Sequence, residues 1–219
     1  MTQEIGGFAA FELHPNILAA VIATGYEEPS AIQQQSIPII MAGHDMIGQA
    51  QTGTGKTAAF ALPILHRIDP TKREPQALIL APTRELALQV ATAFETYAKQ
   101  MPGVTVVAVY GGAPMGPQLK AIRNGAQIVV ATPGRLCDHL RRDEKVLATV
   151  NHLVLDEADE MLKLGFMDDL EVIFKALPAT RQTVLFSATL PQSIRAIAER
   201  HLRDPKHVKI QTKTQTVTA

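Results

Sequence analysis

The sequence predicts an α/β protein built on one doubly wound, mostly parallel sheet with helices on both faces. Three observations carry this. Short runs rich in Val, Ile and Leu alternate along the chain with longer stretches of helical period. The runs are apolar at successive positions, which is how a strand buried on both faces reads. The chain has 219 residues, enough for one substantial core and short for two full domains.

The elements follow in order. Helices at 15–24 and 31–42 lead into a first strand at 45–48, and a glycine-rich turn separates it from a helix at 56–68. Strand 77–81 precedes helix 84–100, strand 105–110 precedes helix 115–124, and strand 127–131 precedes helix 134–142. Strand 152–156 runs into an acidic turn before helix 168–177, strand 183–187 precedes helix 192–202, and strand 207–210 closes the sheet. Residues 211–219, mostly Thr, Gln and Lys, read as a flexible tail or linker. Ligands of such sheets sit beyond the carboxyl ends of the strands, so the informative residues should lie just after each strand.

Composition narrows the function. Lys plus Arg number 21 and Asp plus Glu number 21, so the formal net charge is zero. No basic footprint of a nucleic-acid binder is present, and any such contact must be local, built from a few side chains and backbone N–H groups. The single cysteine, Cys137, permits no intrachain disulfide and reads as an apolar filler on a helix, which fits a reducing, cytoplasmic setting. No run approaches the ~18 apolar residues of a membrane span. Met1-Thr2-Gln3-Glu4 opens without a basic region and apolar core, so no secretory signal is expected. The seven histidines show no metal-ligand spacing and read as surface or helix-end residues. No exposed apolar stripe demands a partner, so a monomer is expected.

Two segments carry chemistry. Ala50-Gln51-Thr52-Gly53-Thr54-Gly55-Lys56-Thr57 follows the first strand and opens a helix. It matches the phosphate-loop pattern of Gly, four residues, Gly, Lys and Ser or Thr except at its leading Ala50. Gly53 and Gly55 let successive N–H groups face an anion, and the helix aims its positive end at the same place. Lys56 would reach the β and γ phosphates of a nucleotide, and the Thr57 hydroxyl would ligate Mg2+. Downstream, Leu153-Val154-Leu155 ends in Asp156-Glu157-Ala158-Asp159. Asp156 would hold Mg2+ directly or through water, and Glu157 would polarise the attacking water.

Asp-Glu-Ala-Asp at 156–159 is the signature of the DEAD-box RNA helicases, and the chain resembles that family along most of its length. Gly25-Tyr26-Glu27-Glu28-Pro29-Ser30-Ala31-Ile32-Gln33 resembles its Q motif, and Phe8 lies 17 residues ahead of Gly25, where the family carries an isolated aromatic. Residues 50–57 resemble motif I with its leading Ala. Pro82-Thr83-Arg84-Glu85-Leu86 resembles motif Ia, Gly111-Gly112 the glycine doublet, Thr132-Pro133-Gly134-Arg135 motif Ib, and Ser187-Ala188-Thr189 motif III. The bacterial cold-shock group is the subgroup most resembled.

The resemblance implies a RecA-like domain at 36–210 with the Q-motif region, 1–35, packed on it. It implies ATP and Mg2+ as cofactors, held by Phe8, Tyr26, Gln33, Thr52, Gly53, Thr54, Gly55, Lys56, Thr57 and Asp156. A carboxamide suits adenine, because Gln33 can donate and accept at once along the N6 and N7 edge. Lys56, Asp156 and Glu157 would carry catalysis. Pro82, Thr83, Arg84, Gly111, Gly112, Thr132, Pro133, Gly134 and Arg135 would grip the RNA backbone without reading bases. Thr83 and Thr132 would also serve as helix caps in any α/β protein. Asp159, Ser187 and Thr189 would couple ATP state to RNA. The family's second RecA-like domain, with motifs IV, V and VI and the arginines that complete the ATP site, is expected to be missing here. Duplex unwinding by the whole enzyme is the implied activity. A nucleotide-dependent RNA clamp, or another superfamily 2 motor, would use the same residues.

Overall fold

The computed structural model describes residues 7–211; all but the first residue of the tail expected at 211–219, and residues 1–6 of the region expected at 1–35, lie outside them. After a 3-10 turn at Gly7–Phe11 come α1 (Pro15–Ala23), α2 (Ala31–Met41), β1 (Met46–Gln49), α3 (Lys56–Arg67), β2 (Ala77–Leu80) and α4 (Arg84–Tyr97). Then follow β3 (Val106–Val109), α5 (Met115–Arg123), β4 (Ile128–Ala131), α6 (Pro133–Arg142) and β5 (His152–Leu155). The chain continues through α7 (Ala158–Lys163), α8 (Met167–Ala176), β6 (Gln182–Ser187), α9 (Gln192–His201) and β7 (Lys206–Lys209).

The strands form one sheet in the order β3-β4-β2-β5-β6-β1-β7. Every pairing is parallel, so "mostly parallel" becomes all-parallel among the described strands. The expectation that each strand is buried on both faces holds for the inner strands and fails at the rims. In β7 only Val208 is buried, and in β3 buried and half-buried residues alternate, because an edge strand has a neighbour on one side only.

Two apolar layers flank the sheet. Residues of α1–α4 share one with alternate strand positions such as Ile79, Val154 and Phe186. Residues of α5–α9 share the other with Leu80, Leu155 and Leu185. Phe8, Leu13, Ile17, Val21 and Ile32 belong to the first layer together with Phe60 and Phe94. Phe60 lies 5.7 Å from Phe186 and 6.1 Å from Phe94, ring centre to ring centre. Gly48 makes this packing possible, since a Cβ there would stand 2.5 Å from the Phe186 ring.

One helix was not foreseen. The sequence suggests only an acidic turn after β5, but Ala158–Lys163 form α7. Six residues are too few for a periodic signal, and this helix starts from a backbone special: Glu157 sits in the left-handed region at φ 53°. Two histidines also depart from expectation. His139 and His152 are buried, not surface residues. Cys137 is buried in α6 as an apolar residue, and burial first, then the nearby Asp169, pushes its thiol up to about 12.

Candidate nucleotide and RNA site

The loops that leave β1 and β5, on either side of β6 in the sheet, line one cleft together with residues of the segment before α2, of α2 and of α4. Its volume is about 540 Å³, and its walls include Tyr26, Gln33, residues 52–57, and Glu157. A groove of similar size between α9 and β7, about 530 Å³, contains none of these residues. Chemistry, not volume, marks the first as the site.

The phosphate loop is held from two sides. Gly55 caps α3 at φ 87°, a conformation that glycine takes without cost. Above it the Ser30 hydroxyl donates to the Thr54 carbonyl at 2.9 Å, and Gln33 Nε2 donates to the Gly55 carbonyl at 3.0 Å. Gln33 Oε1 accepts from the Ser30 N–H at 2.9 Å, so the same side chain caps α2. Its amide orientation follows, because a carbonyl can face only the NH₂ end. Gln33 keeps one N–H and one lone pair for a ligand. Below the loop, Lys56 Nζ lies 3.0 Å from Asp156 Oδ1 and 3.4 Å from Glu157 Oε1. The Thr52 hydroxyl donates to Glu157 Oε1 at 3.2 Å.

Asp156 is fully buried. The Lys56 contact is close but poorly directed, so neither carboxylate oxygen receives a well-formed hydrogen bond. Burial pushes this carboxyl above its ordinary pKa range, with Lys56 pulling the other way. A buried carboxylate with two unsatisfied oxygens beside a hydroxyl-bearing helix start fits a hard divalent cation. Among the described residues no group of three or more His, Cys, Asp or Glu could form an all-protein cage. An ion such as Mg2+ takes one or two carboxylates and fills its shell with water and phosphate, and Asp156 with the Thr57 hydroxyl would be its protein ligands.

A model of the DEAD/DEAH box helicase family matches residues 30–197. This chain belongs to that family. ATP-dependent RNA helicase DeaD of Klebsiella pneumoniae is 54% identical over 209 residues, which are 95% of this chain and 32% of the relative. DeaD of Mycobacterium tuberculosis is 53% identical over 207 residues, 94% of this chain and 37% of that protein. The chain therefore spans about a third of the length of the curated relatives it matches. The solved structure of a DEAD box protein from Methanococcus jannaschii matches with a TM-score of 0.90 at 40% identity, covering 94% of this chain and 56% of that one.

In this DEAD-box domain the other motif residues divide by position. Phe8 does not line the cleft. It is buried behind Tyr26, with ring centres 6.2 Å apart, and so braces that aromatic from within. Thr83 caps α4, accepting from the Leu86 N–H at 3.2 Å. Thr132 makes no side-chain cap bond, and Pro133 takes the first turn of α6. Arg84 stacks its guanidinium 4.8 Å over the Tyr110 ring, next to Gly111 and Gly112. The Arg135 guanidinium turns inward and donates to the Ala113 carbonyl at 2.7 Å. The Gly134 and Arg135 N–H groups precede the first internally bonded donor of α6, the Leu136 N–H, which donates to the Thr132 carbonyl. Pro82 to Arg84, Gly111 and Gly112, and Thr132 to Arg135 thus sit at the carboxyl ends of β2, β3 and β4, three adjacent strands.

Asp159 links the acidic motif to the end of β6. Its Oδ2 accepts from the Thr189 hydroxyl at 2.9 Å and the Thr189 N–H at 3.2 Å, and its own N–H donates to Ser187 Oγ at 3.2 Å. Burial alone would raise its pKa, but the hydrogen bonds from Thr189 and Ser187 outweigh it and hold the carboxyl below its ordinary range.

Sequence reasoning missed several lining residues: Glu28, Ser30, Leu86, Gln89 and Tyr97. Two signals were available. Ser30-x-x-Gln33 is a capping-box pattern. Leu86, Gln89 and Tyr97 recur at helical spacing along α4, whose start lies beside the loop.

Proposed function

We propose that this chain is the N-terminal, ATP- and RNA-binding half of an ATP-dependent RNA helicase, and that alone it binds adenine nucleotide but hydrolyses ATP slowly. One observation carries the reading: Gln33, the phosphate loop and Glu157 line a single cleft, with Gln33 bonded directly to the loop and Asp156 buried 3.0 Å from Lys56.

Adenine would lie against Tyr26 and meet the free donor and acceptor of Gln33. The N–H groups of residues 53–57 and the start of α3 would bind the phosphates. Lys56 would exchange its Asp156 and Glu157 partners for β- and γ-phosphate oxygens. Asp156 and Thr57 would hold Mg2+, which neutralises phosphate charge when bound. Glu157 would then accept a proton from, or orient, the attacking water; its left-handed backbone aims it differently from Asp156. Single-stranded RNA would lie across Arg84, Gly112 and the N–H groups of Gly134 and Arg135, contacted through its backbone. In the whole protein a second RecA-like domain would close over both ligands, and the bend that closure imposes on RNA would strip a short duplex. Asp159, Ser187 and Thr189 would carry the state of the ATP site to the RNA side.

Calorimetric titration with Mg-ADP and Mg-GDP, beside a Gln33→Ala variant, tests the nucleotide half of this reading. ADP should bind, GDP should not, and the variant should lose about tenfold in ADP affinity, the worth of one or two buried hydrogen bonds. Equal binding of ADP and GDP would replace it with a generic phosphate-loop NTPase.

A further inference from the structure

Three segments of the proposed RNA surface leave adjacent strands of one sheet, and the backbone ladder ends just short of them, with the Thr132 N–H donating to the Val109 carbonyl at 2.9 Å. Beyond the ladder, the side chain that joins them comes from a residue in none of the motifs. Gln118 on α5 is nearly buried, at 7% exposure. Its Nε2 donates to the Tyr110 carbonyl at 3.0 Å. Its Oε1 accepts from Arg135 Nη1 at 3.4 Å and faces His139 Nε2 at 3.2 Å. The orientation of the amide is fixed, because the Tyr110 carbonyl can only accept. His139 must then carry its proton on Nε2, and its buried Nδ1 is left as a bare acceptor without a partner. Burial first, and Arg135 second, hold His139 below its ordinary pKa, which keeps it neutral in this arrangement.

Arg135 completes the tie. The same Nη1 reaches the Ala113 carbonyl, so the loop at 110–113 is held at both ends: directly by Gln118 and through Arg135. Tyr110, the first residue of that loop, is in turn the platform for Arg84. One amide therefore joins the glycine doublet, the start of α6 and, through Tyr110, the start of α4. The Arg135 guanidinium is committed to this inner network, which leaves its backbone N–H, beside that of Gly134, as the group that faces outward.

We infer that Gln118, with Arg135 and His139, is the positioning device of the RNA surface: it sets the distance between the glycine doublet and the α6 N-terminus to match successive phosphates. Gln118 touches no RNA itself. This inference rests on the RNA-binding reading above. It makes Arg135 a positioning side chain instead of a phosphate ligand.

The test uses this chain labelled with ¹⁵N and titrated with a 12-nucleotide oligouridylate, with Mg-ADP affinity and thermal midpoint measured in parallel. In the unaltered chain the amide signals of Gly112, Gly134 and Arg135 should shift together on one binding curve. Gln118→Ala should weaken that curve about tenfold and leave the ADP affinity as it was. The slope of log affinity against log salt should also persist, since no phosphate-contacting charge is removed. Gln118→Glu keeps the side-chain length and an acceptor for Arg135 and His139, but sets a second acceptor against the Tyr110 carbonyl and adds a charge beside Arg135; it should weaken RNA binding as well. If the amides do not respond to RNA in the unaltered chain, the RNA-surface reading fails before Gln118 is at issue. If they respond and both variants bind RNA as tightly as the parent, Gln118 is a packing residue and the inference is overturned. A fall in ADP affinity equal to the fall in RNA affinity would equally overturn it, as loss of the fold.

Discussion

At the scale of single residues, the phosphate loop shows how a backbone conformation and a side-chain contact become one constraint. Gly55 stands at φ 87°, and a Cβ there would fall 2.6 Å from Gln33 Nε2 and 2.9 Å from Ser30 Oγ. The two side-chain ends can move aside, but the left-handed backbone strain of about 1–3 kcal/mol cannot be avoided. Moving aside is itself harmful, because it displaces the amide that would read adenine. Gly55→Ala should therefore lower the thermal midpoint by several degrees and, because the strain is present with and without nucleotide while the displaced amide is lost to the ligand, separately weaken Mg-ADP binding about tenfold. Calorimetry and a melting curve on the same variant check both parts; unchanged ADP affinity would separate Gln33 from the loop. Much of this was legible in sequence: the glycines and Lys-Thr announce an anion loop. That Gln33 would be bonded to the loop was not, since a contact between residues 22 apart depends on how α2 packs on α3.

At the scale of elements, the strands were legible to within a residue at most ends because most are short apolar runs bounded by turn residues. What the pattern cannot show is a corner held by polar groups. His152 opens β5 and faces Gln182 Oε1, at the start of β6, through Nδ1 at 3.1 Å. Gln182 Nε2 donates to the Ile40 carbonyl at 3.0 Å and the His44 carbonyl at 2.7 Å, which ties both strands to the turn between α2 and β1. With its NH₂ spent on carbonyls, Gln182 offers His152 only an acceptor, so a neutral ring donates. Burial first, then Arg67, lowers His152 from 6.5 to about 4. The sign follows from which state takes the proton. The unfolded chain protonates this ring near pH 6.5 and the folded chain only near pH 4, so stability falls as pH drops through that interval. Urea midpoints should show a loss from pH 7.5 to pH 5 to which this ring contributes up to about 2 kcal/mol. A His152→Gln variant, less stable at pH 7.5, should lose less over the same range; an identical loss would assign the effect to other groups. The short α7 was illegible for a related reason: it begins from the φ of Glu157, a conformation that no composition rule assigns to a glutamate.

At the scale of the molecule, the phosphate loop, Asp156 and Glu157 leave the carboxyl ends of β1 and β5 on one rim of the sheet, and Tyr26 and Gln33 reach the same cleft from the segment that ends in α2. Lys56 lies within 3.4 Å of both Asp156 and Glu157, one cation between two carboxyl groups, an arrangement that binding of nucleotide phosphate must break. In the proposed mechanism turnover depends on charge stabilisation opposite the γ-phosphate, and among the described residues no arginine lines the cleft to give it. In related NTPases an added arginine is worth on the order of 10³–10⁵ in rate. Phosphate release by this chain under saturating Mg-ATP should therefore stay near the background rate, and single-stranded RNA should not raise it, although ADP binds. The same assay on a protein carrying the second domain should show RNA-stimulated release, abolished by Glu157→Gln. RNA-stimulated turnover by the 219-residue chain would mean that one rim suffices for hydrolysis. The ion group at Lys56 would then be a working catalytic arrangement and not a resting one.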